Sequence, residues 1–404
     1  MSKYILIIST LIIFDFQAQL LSNSAINYLN DSEQVIEFKT QSYAGSSHLP
    51  MSFTKNLAFG GFIDDQMKEK AAQRLNHLNR SGFELSSSIA YYNFKPILFN
   101  NYGVYINAYS QRSFAVEYTD DFFRAVFNGN LDYKGEFINL QQSGFHNRLY
   151  HSIEGGIINK KFKLGISYTS IQKESNAQIY EGGISSSPSG TEQALILNGY
   201  YTNANTNSNI IQQGGWGAAI NFEINNKLNK LDSNSNAKIV AGINGLGFQL
   251  LKNCSYSYLD TVFVYNGIAI NELSDLSNPI IPIPNIDSLT EMSSNFNPLP
   301  FELYVHKIGG KKTAKIHSCY GLRYRSLSNY SVLVYAGAEF HISAKFTIGS
   351  ILSYGGYSKL NHGIHARLTS SKFIFSLNTN NMTGLFLRNS RGAGLNFSLC
   401  YTIK

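Results

Sequence analysis

The chain ends on a strict alternation. Ala393, Leu395, Phe397, Leu399, Tyr401 and Ile403 fall on one parity, and Gly394, Asn396, Ser398, Cys400, Thr402 and Lys404 on the other. Side chains of an extended strand point alternately to its two faces, so this segment carries one apolar and one polar face. The same period recurs through most of the chain after residue 80. Phe162, Leu164, Ile166 and Tyr168 alternate with Lys163, Gly165, Ser167 and Thr169. Ile316, Ser318, Tyr320, Leu322 and Tyr324 alternate with His317, Cys319, Gly321, Arg323 and Arg325. Turn-forming clusters at 326–329, 355–361 and 378–381 separate such runs, which from residue 313 onward read as consecutive hairpins. The pattern predicts an all-β chain of about fourteen strands. Strands of about nine to twelve residues suit a tilted crossing of a bilayer. One run changes phase: Ile239, Ala241 and Ile243 share a parity that Leu246, Phe248 and Leu250 do not. A β-bulge at Asn244–Gly245 accounts for the switch.

Lys3 followed by the apolar run Tyr4–Phe14 and the small residue Ala18 reads as a signal peptide over 1–18, leaving 19–404 as the mature domain. No Cys follows that run, so a lipid anchor is not expected. No later apolar run is long enough to cross a bilayer as a helix. Only helices and closed barrels satisfy every backbone polar group in lipid, which leaves a closed barrel. The 26 Tyr, 27 Phe and a charged fraction of 15% suit strands and turns better than surface helices. The expectation is an antiparallel up-and-down transmembrane β-barrel in the outer membrane. Its expected partners are outer-membrane lipid and the barrel-insertion machinery. The net charge of +7 comes without a basic block, so a nucleic-acid partner is not expected. A soluble secreted β-sandwich would share the alternation without closing on itself.

Two stretches break the period of two. Residues 64–79 read as a helix, with Asp64 and Asp65 at its N-terminus, Met67 and Leu75 on its apolar side, and Gly82 beyond its end. Residues 120–128 read as a second, with Phe122 and Phe123 in its apolar stripe. Asp64, Asp65, Met67, Leu75, Phe122 and Phe123 are the candidates for short helical elements that plug the barrel or sit on its rim. Residues 271–300 hold five of the eight prolines and read as a long loop.

The chain carries no GxSxG elbow, HExxH, Walker loop or dinucleotide fingerprint, so neither an enzyme nor a cofactor is expected. His362 and His365 point to opposite faces of a strand and cannot share a metal. His317 and Cys319 share a face, but two ligands do not make a site, and no metal is assigned. Cys254, Cys319 and Cys400 form no disulfide framework and read as small residues packed in strands. The polar faces of the later strands carry Lys315, His317, Arg323, Arg325, Glu339, His341, Lys345 and Arg367, the lumen-facing candidates. Left uncompensated, they would make a basic, anion-favouring lumen. The preferred reading pairs them with plug and loop carboxylates such as Asp64, Asp65, Asp120 and Asp121, since a packed barrel must satisfy its inward polar groups.

The runs LAFGGFIDDQMKEKAAQRLNHLNRSG, GWGAAINFEI … AKIVAGINGLGFQLLKN and RGAGLNFSLCYTIK resemble a family of Bacteroidota outer-membrane barrels of undefined function. That family is similar to the long-chain fatty-acid-transporter-like barrels and to barrels associated with type IX secretion. The resemblance covers nearly the whole mature chain. It implies about fourteen strands with plug-like elements near the N-terminus. The chain lacks the Asn-Pro-Ala turn of the fatty-acid transporters, and its last aromatic, Tyr401, stands three residues before Lys404. No catalytic residue carries over. Two functions follow as expectations: a pore or transporter for a hydrophobic or small solute, or a barrel anchoring a secreted surface adhesin or secretion component.

Overall fold

The computed structural model describes residues 34–98, 101–128, 133, 135–189, 192–205, 214–228, 234–265, 290–386 and 390–403. The expected signal segment 1–18 lies outside them. Among these residues the period of two becomes seventeen antiparallel strand segments. These are β1 (Gln34–Ser46), β2 (Leu78–Leu98), β3 (Tyr102–Thr119), β4 (Phe137–Asn139), β5 (Gly144–Ile158), β6 (Phe162–Ser186), β7 (Gln193–Asn205), β8 (Gly215–Lys227) and β9 (Lys238–Tyr265). They continue as β10 (Thr290–Pro298), β11 (Glu302–Ile308), β12 (Ile316–Arg325), β13 (Ser331–His341), β14 (Phe346–Gly356), β15 (Leu360–Thr369), β16 (Phe373–Thr379) and β17 (Gly392–Ile403). Three pairs of segments are interrupted halves of one course. β4 and β5 both run along β6, β7 and β8 both lie between β6 and β9, and β10 and β11 both follow β9. The wall therefore has fourteen staves, and β1 closes it by pairing with β2 on one side and β17 on the other. Closure removes every open strand edge and rules out the sandwich alternative.

Neighbouring residues show which face is which. Ile153, Ile166 and Leu352 are 58, 69 and 56% exposed, while the next residues along, Glu154, Ser167 and Ser353, are 3, 1 and 3% exposed. Apolar side chains point out and polar ones in, the sidedness of a barrel in lipid.

The expected bulge is present. Ile243 pairs with Phe222 and Leu246 with Ile220, so Asn244 and Gly245 together oppose Asn221. Gly245 sits at φ 80°, a left-handed conformation natural to glycine, and its N–H donates to Asn221 Oδ1 at 2.6 Å. On the other side of the bulge, Leu299–Phe301 separates β10 from β11.

Residues 266–289 of the expected proline-rich loop lie outside the described residues. Its last part is not loop: β10 pairs with β9 from Thr290↔Ser257 to Pro298↔Phe248. Pro298 ends that strand and Pro300 falls in the break before β11, positions where a missing N–H breaks no interior ladder.

Four helices lie among the described residues: α1 (Met51–Phe59), α2 (Asp65–Ala72), α3 (Asp120–Asn128) and α4 (Met382–Phe386). All connect staves at one end of the barrel. The opposite end carries both chain ends of the described barrel and tight turns such as 342–345 and 370–372. α2 is shorter than the pattern over 64–79 suggests. Asp64 caps it by accepting from Met67 N at 2.7 Å. It stops at Ala72 because Asn79, already in β2, bonds both N and O of Asn76 and turns the chain into the wall. Gly82 does not end a helix. It lies within β2 beneath the ring of Tyr357, where an added Cβ would meet ring carbons at 2.4 Å. α1 has no counterpart in the sequence reading. Its anchor is Phe53, fully buried against Phe123 and Phe127 at centroid distances of 5.4 and 5.1 Å.

The face assignment can be tested on β17. Phe397 lies outward between Phe38 and Phe375, and Ser398 lies inward, 5% exposed. Phe397→Arg is expected to cost about 2–4 kcal/mol if it sits near the bilayer midplane, and to assemble poorly. Ser398→Asp, one residue away, is expected to assemble nearly as wild type. Heat-modifiable gel mobility of the two variants checks this, and equal tolerance would contradict the assignment.

Candidate functional site

The inward parity of the staves brings carboxylates and cations together. Arg148 on β5 grips Glu174 on β6 with Nε 3.0 and 3.1 Å from its two oxygens, and both side chains are only 4% exposed. Glu302 on β11 accepts from Arg325 Nε at 2.7 Å and pairs with Arg323 at 3.5 Å. Arg325 also pairs with Glu84 on β2, and Arg148 donates to the carbonyl of Leu327. β2 and β12 are seven staves apart in a ring of fourteen, so the Arg325–Glu84 pair joins opposite walls. A single Arg–Glu pair is too short to span a round fourteen-strand barrel, whose diameter grows with strand number. The section is pinched there.

A second pattern is a tyrosine hydroxyl donated to an inward glutamate. Tyr92 serves Glu37 at 3.2 Å, Tyr304 serves Glu223 at 2.6 Å and Tyr357 serves Glu84 at 3.0 Å. Tyr105 does the same for Glu154 and Tyr150 for Glu174. Each ring supplies apolar area and each hydroxyl satisfies a buried acceptor. The ring of Tyr105 lies over Gly165, where a Cβ would collide with the hydroxyl.

The turn between β12 and β13, residues 326–330, folds into the barrel. Leu327 and Asn329 take left-handed φ values of 52° and 49°. Tyr330 is buried edge-on against Tyr357 at 5.2 Å, beneath the Arg325 guanidinium at 5.3 Å. Beside the pinch lies an interior cavity of about 280 Å³. Its lining includes Glu37, Glu84, Glu154, Glu223 and Glu302 with Lys39, Arg148, Lys163 and Arg325, besides Ser86, Ser87, Ser88, Asn107, Gln111 and Asn221. Five acidic and four basic side chains do not make a basic chamber.

The lumen-facing candidates divide by depth. Arg323, Glu339 and Arg367 are buried inside, and Arg325 lies in the pinch. His317 and His341 sit half-buried near the tight-turn end, and Lys315 and Lys345 are exposed in the turns there. The buried barrel charges pair across staves, Arg148 with Glu174, Arg325 with Glu84 and Glu302, and Arg367 with Glu339. Asp64 caps α2 and Asp65 bonds Lys68 at 2.9 Å. Asp121 accepts from Asn139 N at 3.1 Å and Asp120 lies 3.8 Å from His77. These four are consumed locally, Asp64 and Asp121 by backbone amides and Asp65 and Asp120 by the neighbouring side chains of Lys68 and His77.

Met67, Leu75 and Phe122 pack around a cluster of Leu49, Phe53, Ala71, Ala72, Tyr118 and Phe123. Tyr118 shares the parity of the exposed Ile106 and Phe114, so α1–α3 stand at the rim on the outer-face side. None of the six helix candidates lines the cavity.

Most cavity residues come from β1 to β8, where the sequence reading named no charged candidate. The signal was available: Glu37, Lys39 and Gln41 alternate with Ile36 and Phe38, and Arg148, Tyr150, Ser152 and Glu154 with Leu149 and Ile153.

No protein-family model matches the chain, and no curated protein matches it in sequence. Solved barrels resemble it in architecture. The P. putida toluene transporter TodX is 10% identical over 94% of this chain and 92% of its own, with a TM-score of 0.38. A Pseudomonas aeruginosa FadL homologue is 9% identical over 95% and 93%, with a TM-score of 0.45. The translocator domain of the autotransporter NalP from Neisseria meningitidis is 8% identical over 93% and 90%, with a TM-score of 0.30. Likenesses this distant say nothing about what passes through the barrel.

Glu174→Gln leaves the Arg148 charge buried without its counter-ion and is expected to cost about 3 kcal/mol. Urea unfolding in micelles, followed by the fluorescence of the single tryptophan, Trp216, reads this directly. Arg148→Met combined with Glu174→Leu is expected to recover most of the loss. A loss under about 0.5 kcal/mol in the single variant would mean that water already screens the pair.

His48 follows β1 at the rim, 3% exposed, with Ser47 Oγ 2.8 Å from its Nδ1. Burial, then the charges of Lys359 and Arg391, pull its pKa down to about 4. An unfolded histidine titrates near 6.5. Between these values the unfolded segment binds a proton that the folded one refuses, so stability is full above about pH 6.5 and falls toward about pH 4. Amide protection over residues 46–59, taken relative to the intrinsic exchange rate at each pH, is expected to fall between about pH 7 and about pH 5, and His48→Gln to remove that dependence. The same dependence in the variant would assign it to another group.

Proposed function

We propose that this chain is exported to the outer membrane and acts there as a narrow channel for small hydrophilic solutes. The cavity lining carries the reading: serines, amides and balanced charges surround it, with apolar surface added by Ala219, Leu299, Pro300, Phe301 and the rings of Tyr92, Tyr109, Tyr150 and Tyr304. A greasy solute would strip water from five carboxylates and four cations without replacing their hydrogen bonds. A small polar solute exchanges one set of hydrogen bonds for another. The apolar outer face supports residence in lipid, reached through the barrel-insertion machinery. The Arg325–Glu84 bridge and the inward turn 326–330 narrow the path at the end bearing the helices. Long connections lie at the outer face of such barrels, which puts this constriction on the extracellular side.

The purified barrel in planar bilayers is expected to show small conductance steps with weak ion selectivity. Arg325→Gln combined with Glu84→Gln, which keeps size and removes both charges, is expected to enlarge those steps. A folded, heat-modifiable barrel that conducts nothing in either form would overturn the channel and favour the anchoring barrel.

A further inference from the structure

Near the tight-turn end, away from the cavity, three inward side chains converge. His317 on β12 stands directly opposite Glu339 on β13, and His341 lies two residues further along β13 on the same face. One ligand atom from each falls within 4.8 Å of the others. His341 Nε2 lies 2.9 Å from His317 Nδ1. We propose that His317, His341 and Glu339 bind a divalent transition-metal ion of the zinc and copper class.

Neighbours fix how the rings present their nitrogens. His317 Nε2 faces the carbonyl of Lys311 at 2.9 Å. A carbonyl only accepts, so Nε2 carries the proton and Nδ1 of the neutral ring offers a lone pair toward His341. His341 Nδ1 faces Thr347 Oγ1 at 3.1 Å, and a hydroxyl can accept as well as donate. With its proton on Nδ1, His341 also turns a lone pair toward His317. The two lone pairs then need a cation between them. The backbone carbonyl and the hydroxyl are the outer partners that orient imidazole ligands in metal sites.

The carboxylate is held in the same way. Glu339 is 2% exposed, with Oε1 3.1 Å from His365 Nε2 and 3.4 Å from Arg367 Nη1. His365 reaches it across Gly349, where a Cβ would meet the imidazole at 1.9 Å. Metal–nitrogen bonds of about 2.0–2.1 Å in tetrahedral geometry hold two ligand nitrogens about 3.3 Å apart. A few tenths of an ångström of ring movement supplies that from the observed 2.9 Å. Two imidazoles and one carboxylate suit zinc or copper and leave a position for water. The nearby Lys315 and Lys345 are exposed and carry their charges into solvent.

The test uses the full barrel, refolded without a polyhistidine tag and stripped with chelator. Zn²⁺ titration by calorimetry is expected to give one saturable site, weakened at least tenfold in both His317→Gln and His341→Gln (removing a mere orienting partner already costs about 10–100-fold). Heat-modifiable mobility checks that each variant is folded. In the unmutated barrel, one equivalent of Cu²⁺ is expected to show nitrogen hyperfine splitting from two imidazoles by paramagnetic resonance, a readout independent of the variants. Absence of saturable Zn²⁺ binding would mean that the two rings only hydrogen-bond each other. Binding unchanged in both variants would put the ion elsewhere. Either result overturns the proposal.

Discussion

Inward charge must be neutralised where it stands, and the shape of this barrel follows from that. The outer face belongs to apolar side chains, so charged residues of the wall must point in. There each carboxylate has been given an arginine, a lysine, a tyrosine hydroxyl or a combination. Glu174 takes Arg148 and Tyr150, Glu154 takes Tyr105 and Lys163, and Glu302 takes Arg323 and Arg325. Breaking such a set strands a charge in a poorly solvated interior. The sets are therefore restraints on the wall as well as sources of polarity. The Arg325–Glu84 pair draws opposite staves together, and Tyr357 donates to the same Glu84.

A wall pinched at one place must give way at another. Two adjacent staves break their regular pairing at one level: β9 bulges at Asn244–Gly245, and the stave beside it is interrupted at Leu299–Phe301. Asn221, Asn244, Gly245, Leu299, Pro300 and Phe301 all line the cavity. A bulge bends its strand and increases local twist. The breaks supply the curvature that the cavity needs, and Leu299 turns inward to pack over Gly217, with Tyr150 and Leu251 in the same cluster.

Parity was legible from the sequence, because it needs only a strand and an apolar face. It was enough to anticipate a barrel, a strand count close to fourteen and the bulge at Asn244–Gly245. Partnership was not legible. Tyr43 and Ser358 meet across 315 positions of sequence, and Glu84 meets an arginine on the opposite wall. No local pattern encodes such contacts, which is why plug and loop carboxylates such as Asp64 and Asp120 were expected as partners for Arg325 and Arg367. Helix limits failed for a related reason. The apolar spacing beyond Ala72 still resembles a helix, but Asn79 is committed to the sheet, and Gly82 is small because Tyr357 lies on it. α1 was not legible because its deepest anchor, Phe53, is paired with aromatics of α3 that follow some seventy positions later.

Register decides more than topology at the tight-turn end. His317 and Cys319 share a parity, yet Cys319 is buried in an apolar cluster with Tyr335 and Ile351. The residue that joins His317 comes instead from the neighbouring stave, where His317 faces Glu339. A slip of one residue along β13 would put Phe340 or Ala338 opposite His317 and turn both Glu339 and His341 out toward lipid. The outward cost of a carboxylate and an imidazole opposes that slip. So do the outward Val334 and Phe340 of the same strand, which would move inside among polar groups. The polar cluster and the apolar girdle thus specify the same register from opposite faces of one hairpin. That mutual dependence lets three ligand-type side chains be held in place on strands, with Gly349 as the opening through which His365 steadies the carboxylate.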